Sequence, residues 1–424
     1  MRGRCVNGAL TPTAFPALGP RLTFFTGGTA LRALSRELTR HTHNSVHLIT
    51  TFDSGGSSAV LRRAFAMPAV GDIRNRLLAL ADCAVVPAAV LDFCACRLPA
   101  EDEELSEDVA SILGAATSCS GKKASADFLR RHLVSMGRAG HRVWKSMPGV
   151  FADALRLHLN FFLSRMPVDF DPYRACFGNL LLAGGYLHHK RNFDPVLAFF
   201  SRLLQTRGVV RPIVRESLHL AAELDDGSVL VGQHLFRTLA RPVRRIFLTV
   251  HEPERLNERD CLELPATPCR PPLAPAAGVY LSSAGAICYP MGSFYTSVLA
   301  NLLPQGVGST VAEADCPKIF IPNSGSDAEL LGLSVAGQAA MILRHLRQDA
   351  PEAPTDRLLH HVLIDSRHGR YEGGLGDEVR KSISDMGLTI VDRHIVCENN
   401  PQYHEPELTA RALLDLMPGK AAEI

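Results

Sequence analysis

Along residues 21–80, the spacing of apolar residues alternates between that of a β-strand and that of an α-helix. "RLTFFTGGTALRALSRELTR" predicts a short strand, a glycine turn and a helix with Leu31, Leu34 and Leu38 on one face. "SVHLITT", residues 45–51, predicts a second strand. Strand, glycine-bearing loop and helix in repetition are typical of a parallel sheet with helices on its faces, in which ligands lie beyond the carboxyl ends of the strands.

The pattern changes in the middle of the chain. From about Asp127 to Gln205 the apolar spacing is helical, so we predict a largely helical insert over about residues 100–205. Residues 218–236 alternate apolar and polar positions around Asp-Asp-Gly, which predicts a β-hairpin. Further short strands are predicted for "DFCAC", "RRIFLTV", "AGAICYP", "KIFIPNS" and "HHVLIDS".

Composition narrows the class of protein. Apolar residues make up 46% of the 424 residues and the formal net charge is +2, so neither a basic surface for nucleic acid nor a disordered chain is indicated. The 11 cysteines form no CxxC pair, which favours buried thiols in a reducing cytosol over disulfides or a zinc site. Residues 1–20 contain three prolines and no long apolar run, so we predict a flexible leader. We expect a cytoplasmic protein without nucleic-acid or membrane partners.

The first glycine loop, "TGGT" at residues 26–29, lies between the first strand and its helix. Gly27, Gly28 and Thr29 allow a ligand to approach the backbone closely, and free N–H groups at a helix start favour an anion such as phosphate. A simple turn is the alternative. The loop matches neither GxGxxG nor the P-loop, so a typical NAD dehydrogenase or P-loop ATPase is not expected.

The second loop carries more polar groups. Gly55, Gly56, Ser57 and Ser58 precede a predicted helix with two arginines, and such donors can hold a diphosphate while Asp53 binds magnesium. The alternative is that a serine only caps the helix and that the arginines are solvated.

Three further loop-to-helix junctions carry polar side chains. "GDIRN" at residues 71–75 places Asp72 near a helix start, where capping is the simpler interpretation. "FGNLLLAG" places Asn179 at the start of an apolar helix, and "GSFYTS" begins at Gly292. Several such junctions in one chain favour a composite ligand site. Neither a GxSxG nor an HExxH motif is present.

Eight blocks occur in order along nearly the whole chain: "TGGT", "TTFDSGGSSAVLR", "GDIRNRLLAL", "FGNLLLAGGYL", "AAELDDGSVLVGQ", "MGSFYTSVLANLLPQGV", "IPNSGSDAELLGLSV" and "YHEPELTARALLDL". Together they resemble the superfamily shared by 2-phospho-L-lactate transferase (CofD-like) and gluconeogenesis factor (YvcK-like) proteins. Within this superfamily, the divergence of the chain suits a bacterial CofD-related subgroup.

The resemblance implies a Rossmann-like three-layer α/β/α fold with a mostly parallel sheet and a helical insertion, formed by residues 21–424. It also implies a nucleotide diphosphate or nucleotide-sugar ligand across the strand ends. The transferase branch moves a phospholactate group from a guanosine diphosphate donor to an acceptor hydroxyl with magnesium. The other branch binds nucleotide sugars and regulates metabolism. The oligomeric state stays open, with a homodimer as one alternative.

Roles for single residues follow from the blocks as hypotheses. Asp53 and Asp72 are the predicted catalytic residues and magnesium ligands. The predicted ligand-binding residues are Gly27, Gly28, Thr29, Gly55, Gly56, Ser57, Ser58, Arg62, Arg74, Asn75, Asn179, Gly292, Ser293, Tyr295, Thr296 and Asn323.

The chain departs from the family pattern at four positions. Ser54 stands where a second acid is usual, and Val60 replaces an arginine. Gly285 replaces an aspartate, and Met291 replaces a proline. A lost charge weakens magnesium and phosphate binding, by about 1.5–3 kcal/mol for each charged hydrogen bond. Transfer and non-catalytic binding therefore both stay open.

Overall fold

A seven-stranded parallel sheet forms the centre of the molecule. The computed structural model describes residues 13–252 and 267–417. The strand order is β10-β9-β8-β7-β1-β2-β3, and each pair of neighbours is parallel. These strands are β1 (Leu22–Thr26), β2 (Ser45–Ile49), β3 (Val209–Pro212), β7 (Ala286–Tyr289), β8 (Lys318–Phe320), β9 (His361–Ile364) and β10 (Thr389–Asp392).

A second, three-stranded sheet is antiparallel. It consists of β4 (His219–Leu224), β5 (Val229–Val231) and β6 (Val243–Thr249), in the order β5-β4-β6. The predicted hairpin at residues 218–236 is the β4–β5 pair. "RRIFLTV" forms β6, which pairs with β4 rather than with the large sheet.

Helices cover both faces of the large sheet. Because side chains alternate along β1, Phe24 packs into one core with α1 and α16, while Phe25 packs into another with α11, α12 and α13. All five residues of β1 are buried, as in a strand covered on both sides. The predicted α/β fold is confirmed. These helices are α1 (Arg32–Leu38), α11 (Pro275–Ser282), α12 (Val307–Glu313), α13 (Val335–Leu346), α14 (Thr355–Leu358), α15 (Asp377–Asp385) and α16 (Pro406–Asp415).

A second group of helices lies beside the sheet. Its core contains Trp144, whose ring meets Phe93 edge to face at 5.5 Å. The helices are α2 (Gly56–Phe65), α3 (Gly71–Leu80), α4 (Ala88–Ala95), α5 (Glu107–Leu113), α6 (Ala126–Met136), α7 (Arg142–Lys145), α8 (Gly149–Leu163), α9 (Phe177–His188) and α10 (Phe193–Leu203).

One predicted element needs correction, and two strands were not predicted. "DFCAC" lies in and just after α4 rather than in a strand, because Val90, Phe93 and Cys94 recur at helical spacing and are buried. The strands β3 and β10 lie at the two edges of the large sheet and escaped prediction. Both are four residues long and only partly buried, so their apolar signal is weak.

Part of the predicted leader is described. Residues 1–12 lie outside the described residues, and residues 13–20 contain a short 3-10 turn at Pro16–Leu18. Asn44 Nδ2 donates to the carbonyl oxygens of Ala17 (2.9 Å) and Gly19 (2.8 Å), which ties this turn to the start of β2. Within residues 13–252 and 267–417, no helix is long and apolar enough to cross a membrane.

Candidate functional site

A pocket of about 530 Å³ opens beyond the carboxyl ends of β1, β2 and β7. Glycine-rich loops from these three strands form its walls, and α9 closes one side. The pocket thus lies at the edge of the sheet where the strand pattern predicts a ligand site. The predicted site residues that line the pocket are Gly27, Gly28, Thr29, Asp53, Gly55, Gly56, Ser57, Ser58, Asp72, Asn75, Asn179, Gly292, Ser293 and Thr296.

A buried arginine, Arg76, supports the first glycine loop from below. Its guanidinium donates to Thr26 Oγ1 (3.0 Å), to the carbonyl oxygen of Gly28 (3.2 Å) and to Ser35 Oγ (2.5 Å). Burial lowers the pKa of Arg76 to about 10, so the group stays charged at neutral pH. Because carbonyl groups of the first glycine loop point towards Arg76, the opposite side of the loop faces the pocket. Arg76 lies two positions beyond Arg74 and is not among the predicted site residues.

The second glycine loop leads into the uncapped N-terminus of α2. Gly55 is the N-cap residue, and it has no side chain that could accept from the first-turn N–H groups of the helix. Ser57 is already inside the helix, and its Oγ accepts from Cys176 N–H (3.0 Å) and Asn179 Nδ2 (3.1 Å). The interpretation of the serines as caps is therefore wrong. The first-turn N–H groups of α2 border the pocket instead.

Asn179 is held by α9 at the pocket wall and is 1% exposed. Its Nδ2 is used by Ser57, and its Oδ1 has no hydrogen-bond partner among residues 13–252 and 267–417. An unpaired buried polar atom is costly, so this oxygen is a candidate contact for a ligand.

Two aspartates, Asp53 and Asp72, line the pocket near enough to interact electrostatically. A Cβ atom built on Gly71 would lie 3.5 Å from Asp53 Oδ2, and one built on Gly28 would lie 3.4 Å from Asp72 Oδ1. Asp53 Oδ1 accepts from Gly55 N–H at 3.0 Å. Burial, together with the charge of Asp53, raises the pKa of Asp72 to about 7.

Asp72 is not a helix cap. The N-cap residue of α3 is Val70, again without a side-chain hydrogen bond, and Asp72 lies in the first turn. The simpler interpretation from sequence is wrong here. The carboxyl group instead borders the pocket with a pKa near neutrality, a property that suits proton transfer.

The third wall is the short helical segment Phe294–Val298, whose N-terminus is closed by the protein itself. Glu329 accepts from the N–H groups of Tyr295 (2.8 Å) and Thr296 (3.0 Å) and from Thr296 Oγ1 (2.7 Å). Asp327 Oδ2 accepts from Phe294 N–H at 3.2 Å. Burial raises the pKa of Glu329 to about 7, although its hydrogen bonds with Thr296 oppose this shift. These donors are therefore not open to a ligand.

Four predicted ligand-binding residues do not line the pocket. Tyr295 directs its hydroxyl to Met341 Sδ at 3.7 Å. Asn323 acts behind the wall, because its Oδ1 accepts from Gly292 N–H and its Nδ2 donates to the Gly292 carbonyl oxygen, both at 2.7 Å. The other two are Arg62 and Arg74.

Both of these arginines are buried and bound to the protein. Arg62 donates to the carbonyl oxygens of Leu218 (2.6 Å) and Asp53 (3.2 Å). Arg74 donates to Asn75 Oδ1 (2.7 Å) and to Cys176 Sγ. Both guanidinium groups therefore hold neighbouring segments of the protein in place, and neither lines the pocket.

The cationic side chains of the pocket come from residues other than Arg62 and Arg74, and Gln233 adds a third amide to those of Asn75 and Asn179. Arg97 follows α4, and Gln233, His234 and Arg237 belong to the turn after β5. Both arginines are exposed. These residues were not predicted because they belong to segments without a glycine loop. Only the tertiary fold brings them to the pocket.

Ser54, one of the departures from the family pattern, joins two pocket walls. Its Oγ lies 2.8 Å from His234 Nδ1 and accepts from His234 N–H at 3.3 Å. Met291, another departure, lines the pocket, whereas Val60 packs on the core of the helical layer.

The parallel sheet, the glycine loops at its carboxyl edge and the two aspartates define an α/β protein with a polar pocket at the carboxyl ends of its strands. A family model described as "2-phospho-L-lactate transferase CofD" matches residues 22–394, and the chain belongs to this family.

Similar proteins carry a different name. The chain is 25% identical over 403 residues to the gluconeogenesis factor of Bacillus subtilis, covering 94% of this chain and 98% of that protein. It is 24% identical over 407 residues to the gluconeogenesis factor of Halalkalibacterium halodurans, covering 94% and 97%. A crystal structure of a UPF0052 family protein from Bacillus halodurans matches with a TM-score of 0.62 and 20% identity, covering 93% and 99%. This structural likeness supports the fold.

Proposed function

We propose that the protein binds a nucleotide diphosphate in the pocket and transfers a phospho-linked group from it to an acceptor hydroxyl. The observation that carries the proposal is that the "TGGT" loop and the uncapped N-termini of α2 and α3 meet in one pocket with two aspartates. Unpaired N–H groups at helix starts bind phosphate well. Membership of the CofD family supports the same chemistry.

The diphosphate lies against Gly28 and Gly56 in this proposal, between the two loops. Arg97 and Arg237 are the lining residues with a formal positive charge, and they can neutralise the remaining phosphate charge. The free Oδ1 of Asn179 accepts a donor from the ligand.

A magnesium ion fits the floor of the pocket. Two carboxylates are hard oxygen ligands of the kind magnesium prefers, and their mutual repulsion, which contributes to the raised pKa of Asp72, would be relieved by a cation. Asp53 would hold the ion through Oδ2, because its Oδ1 is used by Gly55. When bound, the ion supplies charge neutralisation at the diphosphate oxygens.

Asp72 accepts the proton in the transfer step. The acceptor oxygen attacks the phosphorus distal to the nucleoside while its proton passes to the Asp72 carboxylate. The bond between that phosphorus and the bridging oxygen breaks, and a nucleoside monophosphate leaves. A base with a pKa of about 7 is well matched to this task at neutral pH.

A second candidate is a regulator that binds a nucleotide sugar without turnover. It is favoured by Ser54, which offers no second carboxylate beside Asp53 and is used by His234. The relatives are named gluconeogenesis factors rather than transferases, which fits this candidate.

A thermal-shift panel of guanosine and uridine diphosphates and their conjugates, with and without magnesium, tests binding. A ligand at 100 times its Kd stabilises the fold by about 2.7 kcal/mol. We expect at least one diphosphate to raise the Tm, and magnesium to increase the shift in the wild type but not in Asp53→Asn. Phosphorus NMR of the mixture with candidate acceptors then separates turnover from binding. If none of the diphosphates raises the Tm, both candidate functions are wrong.

A further inference from the structure

A second polar cluster lies at the same edge of the large sheet, beyond β9 and β10. Asp365 follows β9 directly, His368 lies three residues later, and His394 follows β10. One ligand atom from each of these three side chains lies within 4.8 Å of the others. None of the three lines the pocket described above.

Asp365 is already saturated with hydrogen bonds. Its side chain is 2% exposed, and its oxygens accept from four backbone N–H groups, those of Arg367, His368, Ile395 and Val396. His368 Nδ1 lies 3.2 Å from Oδ1 of the same carboxylate. This contact favours a proton on Nδ1, so that Nε2 of His368 presents its lone pair on the other side of the ring.

That lone pair faces Glu398, whose carboxylate also lies close to His394. His368 Nε2 lies 3.6 Å from Glu398 Oε1, and His394 Nε2 lies 3.7 Å from the same oxygen. Ligand atoms about 2.1 Å from a tetrahedral zinc ion are about 3.4 Å apart, so the observed spacing needs little adjustment. His394 Nε2 also lies 3.2 Å from the Val396 carbonyl oxygen, and metal binding would replace that contact.

We propose that His368, His394 and Glu398 bind a divalent transition-metal ion, Zn²⁺ foremost, and that Asp365 positions His368. Two imidazoles and one carboxylate suit zinc, whereas magnesium and calcium prefer oxygen ligands alone. A buried carboxylate behind a metal-binding histidine is a common arrangement in zinc sites. The side chains of His394 and Glu398 are 42% and 65% exposed, so an ion can enter and keep a water molecule as its fourth ligand.

An ordinary surface ion pair explains the positions of His368, His394 and Glu398 less well than a metal site does. Both contacts to Glu398 exceed hydrogen-bonding distance, and exposed pairs of this kind contribute little stability. Two histidine rings with centroids 4.4 Å apart also repel each other when protonated. A metal ion uses both rings in their neutral form.

The site would stabilise a loop that reaches the pocket wall. Glu398 lies in the segment between Val396 and His404, which are joined by an antiparallel bridge. In the same segment the Pro401 carbonyl oxygen accepts from Ser324 Oγ, next to Asn323 behind the Gly292 turn. A bound ion would therefore hold this segment against the loop that supports the pocket.

Competition between the full-length, tag-free protein and a chromogenic zinc chelator tests the proposal. We expect one Zn²⁺ per chain, and affinity lowered about tenfold or more by His368→Ala, His394→Ala or Asp365→Asn. The control is His132→Ala, which removes a partly exposed histidine remote from the cluster. Equal zinc affinity in wild type and His368→Ala, or no binding by the wild type, would overturn the proposal.

A second set of measurements distinguishes the loss of a metal ligand from misfolding of a variant. Glu398→His keeps a ligand at an exposed position, and we expect it to retain zinc binding that Glu398→Ala weakens. Cobalt added to the wild type should give the strong visible absorption of a four-coordinate site, and His394→Ala should lose it. A six-coordinate spectrum that is the same in both proteins would contradict the proposed ligands.

Discussion

Asp72 combines two properties that separate it from most surface carboxylates. It borders the pocket, and burial beside Asp53 raises its pKa to about 7. We expect Asp72→Asn to lower the transfer rate by about 100-fold or more while ligand binding is kept, because the amide cannot accept the proton. Phosphorus NMR measures the rate, and the exposed Asp92→Asn is the control. Unchanged turnover in Asp72→Asn would exclude it as the base.

The same assignment predicts the pH dependence of the rate. Only the ionised carboxylate accepts a proton, so the wild-type rate should rise with pH and level off above the pKa of Asp72, which is about 7 in the metal-free pocket and is lowered by a bound magnesium ion. A rate that is constant between pH 5 and 8 would argue against Asp72 as the base.

Glu329 closes the N-terminus of the segment Phe294–Val298, and a substitution there tests how much this contributes to stability. Its carboxylate accepts two backbone N–H groups and the hydroxyl of Thr296. In Glu329→Gln an amide NH₂ replaces one acceptor, so at pH 8 we expect the free energy of unfolding to fall by about 1–3 kcal/mol. Urea denaturation measures this change, and Glu101→Gln, at an exposed position, should leave stability within about 0.5 kcal/mol.

Among the elements, α8 and α9 pack closely against each other within the second group of helices. A Cβ atom on Gly184 would lie 2.3 Å from the His158 carbonyl oxygen and 2.7 Å from Phe162 N. We expect Gly184→Ala to destabilise the protein by about 1–3 kcal/mol, because two helix backbones must move apart. Gly149→Ala, in the first turn of α8 with nothing within 4 Å, should be neutral or slightly stabilising in the same urea experiment.

The elements also explain which parts of the structure follow from sequence. Strands β1, β2, β7, β8 and β9 are short apolar runs bounded by loops, and their pattern is sufficient to predict them. The edge strands β3 and β10 and the helix α4 depend on tertiary contacts, because their patterns are short or ambiguous. Asp53 and the glycine loops could be predicted because each follows a predicted strand directly.

The other side chains of the pocket could not be predicted. Arg97 and Arg237 reach it only through the path of segments remote in sequence. Arg62 and Arg74 have the expected residue type, but their guanidinium groups are bound by the protein. Which direction an arginine takes depends on acceptors that only the folded chain brings together.

At the scale of the molecule, buried histidines and acids have opposing effects on stability. Burial lowers the pKa of His158 and His404 to about 4 and that of His219 to about 3, so the unfolded chain binds more protons below pH 6.5. Asp72 and Glu329, with pKa values of about 7, act in the opposite direction, and their ionisation destabilises the fold as pH rises towards 7.

The histidines outnumber these two acids, so we expect the Tm to rise from pH 4.5 to about 6.5 and then to fall slightly towards pH 8. Thermal unfolding across this range measures the profile. In Asp72→Asn the fall above pH 6.5 should be smaller, because one buried acid no longer ionises. A Tm that decreases steadily from pH 4.5 would contradict the assigned pKa shifts.

The proposed function requires that the glycine loops and the uncapped starts of α2 and α3 bind a diphosphate. Isothermal titration with magnesium, comparing a nucleoside diphosphate, the matching monophosphate and the nucleoside, tests it most directly. The predicted result is that the diphosphate binds with a Kd at least about tenfold lower than the monophosphate, a difference of about 1.4 kcal/mol, and that the nucleoside binds weakest. Equal affinity for all three compounds, or binding to none, would contradict the claim.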